Sequence, residues 1–259
     1  MKDIKKFLEG RIGEYSFYFQ DLTSGYTYAL NENVEMVAAG CMKLPIGMAL
    51  LKQVEQGEVD INRTVKIKEE DMVYGTGILH EFGEKEYNLK ELLVAMLLQS
   101  DNTAANKIID IVGIDKINEV LRSMTLNNTV LNRKTIDERN TKGEIQNYST
   151  SADLSSCWKM LYKKTFLNEE NSNTIINILK RQTIKNKIGY YYPDRLKREI
   201  ANKTGDIESV ENDTSLISLG KGNFILTVMS ANLPSNVYGE VTLSRVGKMA
   251  LDIIETGWI

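Results

Sequence analysis

Three short stretches carry side chains whose types and spacing suit acyl transfer. The first is Ala38-Ala39-Gly40-Cys41-Met42-Lys43-Leu44-Pro45. Lys43 follows Gly40 by one helical turn, so the two share a face, and a lysine of lowered pKa there can take the proton from a hydroxyl at the earlier position. Position 40 is a glycine, so that hydroxyl is absent. The second stretch, Ser100-Asp101-Asn102, offers a hydroxyl to relay a proton and an amide to orient a substrate carbonyl. The third, Lys203-Thr204-Gly205, sets a cation and a hydroxyl where a substrate carboxylate can dock, beside a glycine that lets ligand backbone come close.

Each stretch also has an ordinary structural explanation. Lys43 can be a solvated helix lysine, Asp101 or Asn102 a helix cap, and Lys203 a protective charge on an exposed edge strand. What joins them is their order along the chain, each on an element suited to its task.

Those elements follow from hydrophobic period and turn residues. Ile4, Phe7, Leu8 and Ile12 predict a helix over 3–12, and the aromatic alternation of Tyr15 to Gln20 predicts a strand that Thr23-Ser24-Gly25 turns back into Tyr26 to Asn31. The spacing predicts a helix over 38–56, with Pro45 tolerable only in its first turn, so the start lies close to Gly40. Val65 to Lys68 reads as extended, and Gly75-Thr76-Gly77 as a loop. Asn88 and Glu91 resemble a capping pair for a helix running into Ser100, and helices follow over 103–112, 114–124, 151–162 and 170–181. Asn132 to Asn147 is a long polar loop. Strands are predicted over 199–206, 214–219 and 223–230, and a helix over 241–254 closes the chain. The run Phe224 to Met229, apolar but for Thr227, suits a strand covered on both faces.

Composition excludes several function classes. Of 259 residues 42% are hydrophobic and 26% charged, with three prolines, which allows a sizeable core in one domain or two lobes. A net charge of -3, with both signs interspersed, leaves no basic face for nucleic acid. The apolar runs are too short to span a bilayer, and Met1 to Gly10 has no apolar signal region, so a cytoplasmic protein is expected, a trimmed secreted one being the alternative. Cys41 and Cys157 lack metal-ligand spacing and read as reduced packing residues. Cys41 should face away from Lys43, because neighbouring helix positions point about 100° apart. No metal and no cofactor is expected, and His80 alone carries no triad.

With these residues in view, the chain resembles the class A β-lactamase-like serine hydrolases, the penicillin-recognising fold, over nearly its whole length. Gly75-Thr76-Gly77-Ile78-Leu79, Ser100 to Asn106 and Leu131-Asn132-Arg133-Lys134 look like that family as well. The resemblance implies an α+β fold, an antiparallel sheet flanked by terminal helices plus an all-helical lobe. Residues 1–37 and 190–259 would form the α/β lobe and residues 38–189 the inserted helical one. It further implies Lys43 as base or relay, Ser100 as a second relay, Asn102 as a substrate ligand, and Lys203 with Thr204 and Gly205 as the carboxylate clamp. Gly40 and Asp206 would lend backbone N–H groups to an oxyanion hole, and Tyr74 would stand at the site rim.

Two departures from the family pattern bear on function. Gly40 replaces the nucleophilic serine, either as a natural loss or as a deliberate substitution. Thr135 stands where class A β-lactamases carry the glutamate that activates the deacylating water, leaving Asp137 or Glu138 as the nearest carboxylates in sequence. The expectation is a β-lactamase-like hydrolase or acyltransferase acting on an amide or ester next to a carboxylate, with β-lactams as candidate ligands, inactive for want of the serine. The alternative is a non-catalytic protein of the same fold that binds a ligand or a partner.

Overall fold

The computed structural model describes residues 1–135 and 145–258. Helix α1 (Lys2–Glu9) precedes an antiparallel hairpin of β1 (Glu14–Asp21) and β2 (Thr27–Leu30). Asp21 holds its turn, accepting from the Thr23 N–H at 2.8 Å and the Ser24 hydroxyl at 2.6 Å. After β3 (Met36–Val37) a 3-10 turn, Ala39–Met42, leads into α2 (Lys43–Glu55). Then come β4 (Thr64–Ile67), β5 (Lys85–Asn88), α3 (Leu89–Leu98), α4 (Asn102–Val112), α5 (Ile114–Ser123), β6 (Tyr148–Ser149), α6 (Ser151–Lys163), α7 (Glu169–Lys180) and short α8 (Asp194–Lys197). Strands β7 (Ile200–Ile207), β8 (Val210–Leu219) and β9 (Gly222–Ala231) run into the closing helix α9 (Asn236–Gly257).

The main sheet has the order β2-β1-β9-β8-β7 and is antiparallel throughout. β1 pairs with β9 in a register that sets Tyr18 against Thr227, so the two ends of the chain build one sheet. The fold is α+β, as expected from the sequence. One face packs on α1 and α9 through Ile4, Leu8, Phe17, Phe19, Leu226, Val246 and Ile254. The other packs on the helical half through Met42, Leu44, Met48, Met96, Trp158 and Ile225. β9 is thus covered on both sides, which accounts for its continuous apolar run. Thr227, the polar exception, bonds Thr214 at 2.7 Å and Ser155 at 2.8 Å, and Thr214 accepts the Trp158 indole N–H at 2.8 Å. A buried hydroxyl needs such partners to offset its lost water.

Several elements differ from the sequence expectations. The helix expected over 38–56 divides into the 3-10 turn and α2, which makes Pro45 the third helical residue; its missing N–H is one of those a helix start leaves unpaired. β5 pairs with β4, a strand pair within 38–189 that local pattern did not reveal, because its Lys-Glu-Tyr-Asn run has little β character of its own. α9 starts at Asn236, five residues early, since the Ser235 hydroxyl accepts from the Tyr238 N–H at 3.2 Å and caps it. The Asn88 and Glu91 pair does form a reciprocal cap, at 2.9 and 2.8 Å. Among the described residues no helix is long and apolar enough to cross a membrane.

Helix α9 approaches the chain ahead of β7 at Gly247, where an added Cβ would lie 2.0 Å from the Ile188 carbonyl oxygen. Alanine at a helix interior normally gains about 1 kcal/mol over glycine. Here Gly247→Ala is expected to destabilise the protein by about 1–3 kcal/mol through overpacking, read as a lower urea midpoint at unchanged slope.

Candidate active site

Gly40, Lys43, Ser100 and Asn102 line one cleft with Gly205 and Asp206. The 3-10 turn places Gly40 and Lys43 one above the other, because residues three apart eclipse in that geometry. Lys43, 3% exposed, donates to the Ser100 carbonyl at 2.5 Å and the Asn102 side-chain oxygen at 2.6 Å, and lies 3.1 Å from the Ser100 hydroxyl. Burial, and then the charge of Lys203, hold its amine well below the ordinary lysine pKa. Lys203 is fully buried, so it is not the exposed edge-strand lysine of the alternative explanation: although β7 is an edge of the sheet, the 3-10 turn and α7 cover it. Its amine bonds the Ser100 hydroxyl at 3.0 Å and the Thr204 carbonyl at 2.7 Å, and burial pulls its pKa down to about 8. Ser100 therefore stands between two lysine amines.

The turn carrying Ser100 is held by its neighbour. Asp101, fully buried, accepts from the Ala104 N–H at 2.8 Å and from the N–H groups of Ile78 and Leu79 at 2.7 and 2.9 Å. It therefore caps α4 and ties down the loop around Thr76 at once. Gly77 has φ +111, and a Cβ on it would sit 2.2 Å from an Asp101 oxygen, so this loop can lie against Asp101 only with glycine there. Ser100 itself has φ 54 and Ala39 φ 47, left-handed conformations that cost non-glycine residues about 1 kcal/mol or more and cluster at functional sites.

Gly40 answers a spatial constraint. A Cβ on it would lie 2.8 Å from the Thr204 carbonyl oxygen and 3.1 Å from the Gly205 Cα, both backbone atoms. A Cβ on Gly205 would reach 2.6 Å from the backbone nitrogens of Gly40 and Cys41. The 3-10 turn and β7 thus meet backbone to backbone across two glycines. Cys41 points away from Lys43, into a cluster with Met36, Leu154 and Met229; its thiol donates to the Lys203 carbonyl at 3.2 Å, and burial pushes its pKa up to about 12. Cys157 is also a buried free thiol.

Other expected residues are placed differently. The Thr204 hydroxyl accepts from Gln182 at 3.4 Å, and neither Lys203 nor Thr204 is among the described residues that line the cleft. Tyr74, 52% exposed, packs its ring against His80 and is likewise outside that lining. Thr135 lines the cleft, tied to Asn106 by its N–H and hydroxyl at 2.8 and 2.9 Å. Asp137 and Glu138 lie outside the described residues. Arg133, Gln146 and Asn147 also line it: the Arg133 guanidinium donates to Gln146 at 2.6 Å and to the Ile145 carbonyl at 2.8 Å, while Asn147 brackets the Arg133 backbone. Gln146 and Asn147 escaped sequence reasoning, since only a contact across the loop marks them. Among the described residues no group of three or more His, Cys, Asp or Glu could hold a metal ion.

Comparison with known proteins places the chain in a family. A model described as the beta-lactamase enzyme family matches residues 1–254. The chain belongs to that family. Over 177 residues it is 29% identical to beta-lactamase CARB-3 of Pseudomonas aeruginosa, covering 68% of this chain and 60% of that one. Over 187 residues it is 27% identical to beta-lactamase SME-1 of Serratia marcescens, covering 71% and 62%. The chain thus matches about three fifths of the length of these relatives. The solved beta-lactamase from Sphaerobacter thermophilus superimposes with a TM-score of 0.91 at 26% identity, over 98% of this chain and 97% of that one. PBP-A, at 23% identity and a TM-score of 0.89 over 98% and 95%, shares the fold.

Two outcomes follow from the site's packing. Asp101→Ala leaves three N–H groups without their acceptor, and is expected to cost about 2–4 kcal/mol in urea unfolding. Lys203 gives a pH signature. Below about pH 8 folded and unfolded chains both carry its proton; between about 8 and the ordinary lysine value of 10.5 only the unfolded chain does, so its contribution to stability rises with pH. Between pH 7.5 and 9.5 the wild type should gain stability relative to Lys203→Met, by about 1–2 kcal/mol in urea titrations.

Proposed function

We propose that this β-lactamase-family protein binds compounds bearing an amide or ester next to a carboxylate, β-lactams among them, and that position 40 takes no part in covalent chemistry. The site would lie between a lobe of residues 1–37 with 190–259 and a helical lobe of residues 38–189. The convergence of the Lys43 and Lys203 amines on the Ser100 hydroxyl, with Lys43 one turn from Gly40, carries this reading. Lys203 would supply the cation for the carboxylate, aided by Thr204 once its hydroxyl is released from Gln182, and Asn102 would meet the substrate carbonyl. The backbone N–H groups of Gly40 and Asp206 would polarise the reacting carbonyl, the arrangement that most lowers acyl-transfer barriers.

The tight fit of Gly40 supports its inertness. Serine there must push β7 away before its hydroxyl can be used, and Thr135 offers no carboxylate to activate water afterwards.

Calorimetric titration with benzylpenicillin at pH 7 tests the reading. Binding to the wild type is expected, weakened by about tenfold or more in Lys203→Met, the worth of one charge-assisted hydrogen bond; absence of binding would overturn it. In Gly40→Ser an adduct on residue 40 is expected by peptide mass, long-lived for lack of a water-activating carboxylate, together with a stability loss of about 1–3 kcal/mol from the crowded seam.

A further inference from the structure

The site lacks the serine expected at position 40, yet a second hydroxyl stands beside that position. The Ser100 Oγ lies 3.3 Å from where a Cβ on Gly40 would be. It is 3.1 Å from the Lys43 amine and 3.0 Å from the Lys203 amine. We propose that Ser100 is the nucleophile of this protein, with Lys43 as the base that takes its proton and then returns it to the leaving group, and Lys203 as the fixed cation beside the same oxygen.

The hydrogen-bond count at Lys43 supports this assignment. A neutral amine has two N–H groups and one lone pair. The Ser100 carbonyl and the Asn102 side-chain oxygen take the two hydrogens at 2.5 and 2.6 Å, and the third direction faces the Ser100 hydroxyl. In the neutral form that third direction carries the lone pair, which can accept the Ser100 hydroxyl proton. Burial and the nearby Lys203 charge favour that neutral form. Lys203 also donates to that oxygen, at 3.0 Å. The backbone of Ser100, at φ 54, presents its side chain on a sharp turn between α3 and α4, as strained nucleophile turns do elsewhere.

The step balances without a co-reactant. The Ser100 hydroxyl proton passes to the Lys43 lone pair while Oγ bonds the acyl carbon; the tetrahedral oxyanion collapses, the bond to the leaving amine or alcohol breaks, and that group takes the proton back from Lys43, while Lys203 keeps its charge. The products are a Ser100 ester and a neutral leaving group. This deepens the proposed function and rests on its assignment of the cleft as an acyl site.

A small ethyl fluorophosphonate tests it on the full-length protein. Serine Oγ would displace fluoride, giving one phosphonyl adduct by intact mass that maps to Ser100. Ser100→Gly, which suits the positive φ and so preserves the turn, should abolish the adduct, and Lys43→Met should slow labelling by about 100-fold or more with near-ultraviolet circular dichroism retained. No adduct, or one that persists in Ser100→Gly, would overturn the proposal. Benzylpenicillin binding is scored separately: labelling of Ser100 without penicillin binding refutes the ligand class alone, and penicillin binding without labelling refutes the nucleophile alone.

Discussion

A lysine amine taken out of water must have its hydrogens accepted, and at Lys43 the acceptors come from a different part of the chain. The Ser100 carbonyl and the Asn102 side chain, at the α3–α4 turn, close around an amine that starts α2. Leaving any of these groups unpaired in the interior costs about 1–3 kcal/mol, more for a charged one, so the two helical elements hold one relative position. Lys203 adds β7 to the same point through the Ser100 hydroxyl. A single cluster thus aligns the sheet with the helical half, and the chemistry proposed for the site uses the contacts that hold it together.

The seam beside this cluster is set by backbone rather than side chains. Gly40 and Gly205 let the 3-10 turn and β7 approach to distances that a Cβ on either would forbid. Behind β7, Lys187 is buried with Glu211 at 2.5 Å and reaches the Gly205 carbonyl at 3.3 Å. Asn212 on β8 donates to the carbonyls of Val37 and Ala38 at 2.8 and 3.3 Å. The stretch leading into Gly40 is therefore pinned to the sheet from the far side. A paired charge buried this deeply contributes little net stability, but removing one partner would strand the other, so it locks the position of the strand that carries Asp206.

Much of this was legible beforehand. The hairpin, the helices around 89–123 and the doubly covered β9 follow from period and capping. The lysines and Ser100 follow from motif spacing, while β5, the early start of α9 and the 3-10 turn at Gly40 do not. Two of these depend on a partner distant in sequence, β4 for β5 and the contact with β7 for the 3-10 turn, while the start of α9 rests on the local Ser235 cap. The outward placement of Tyr74 and the Gln182 bond to Thr204 likewise have no local signal.

By itself, then, the sequence determined which side chains are present, their order, the family and the absence of a hydroxyl at position 40. Only the tertiary structure decided that glycine is sterically suited there, that Lys203 is buried rather than a solvated edge charge, and that Ser100 lies between two amines. The physical reason is that motif spacing reports residues within one turn or strand. Burial, amine ionisation and backbone contact across the seam arise from elements as far as 175 positions apart meeting in space.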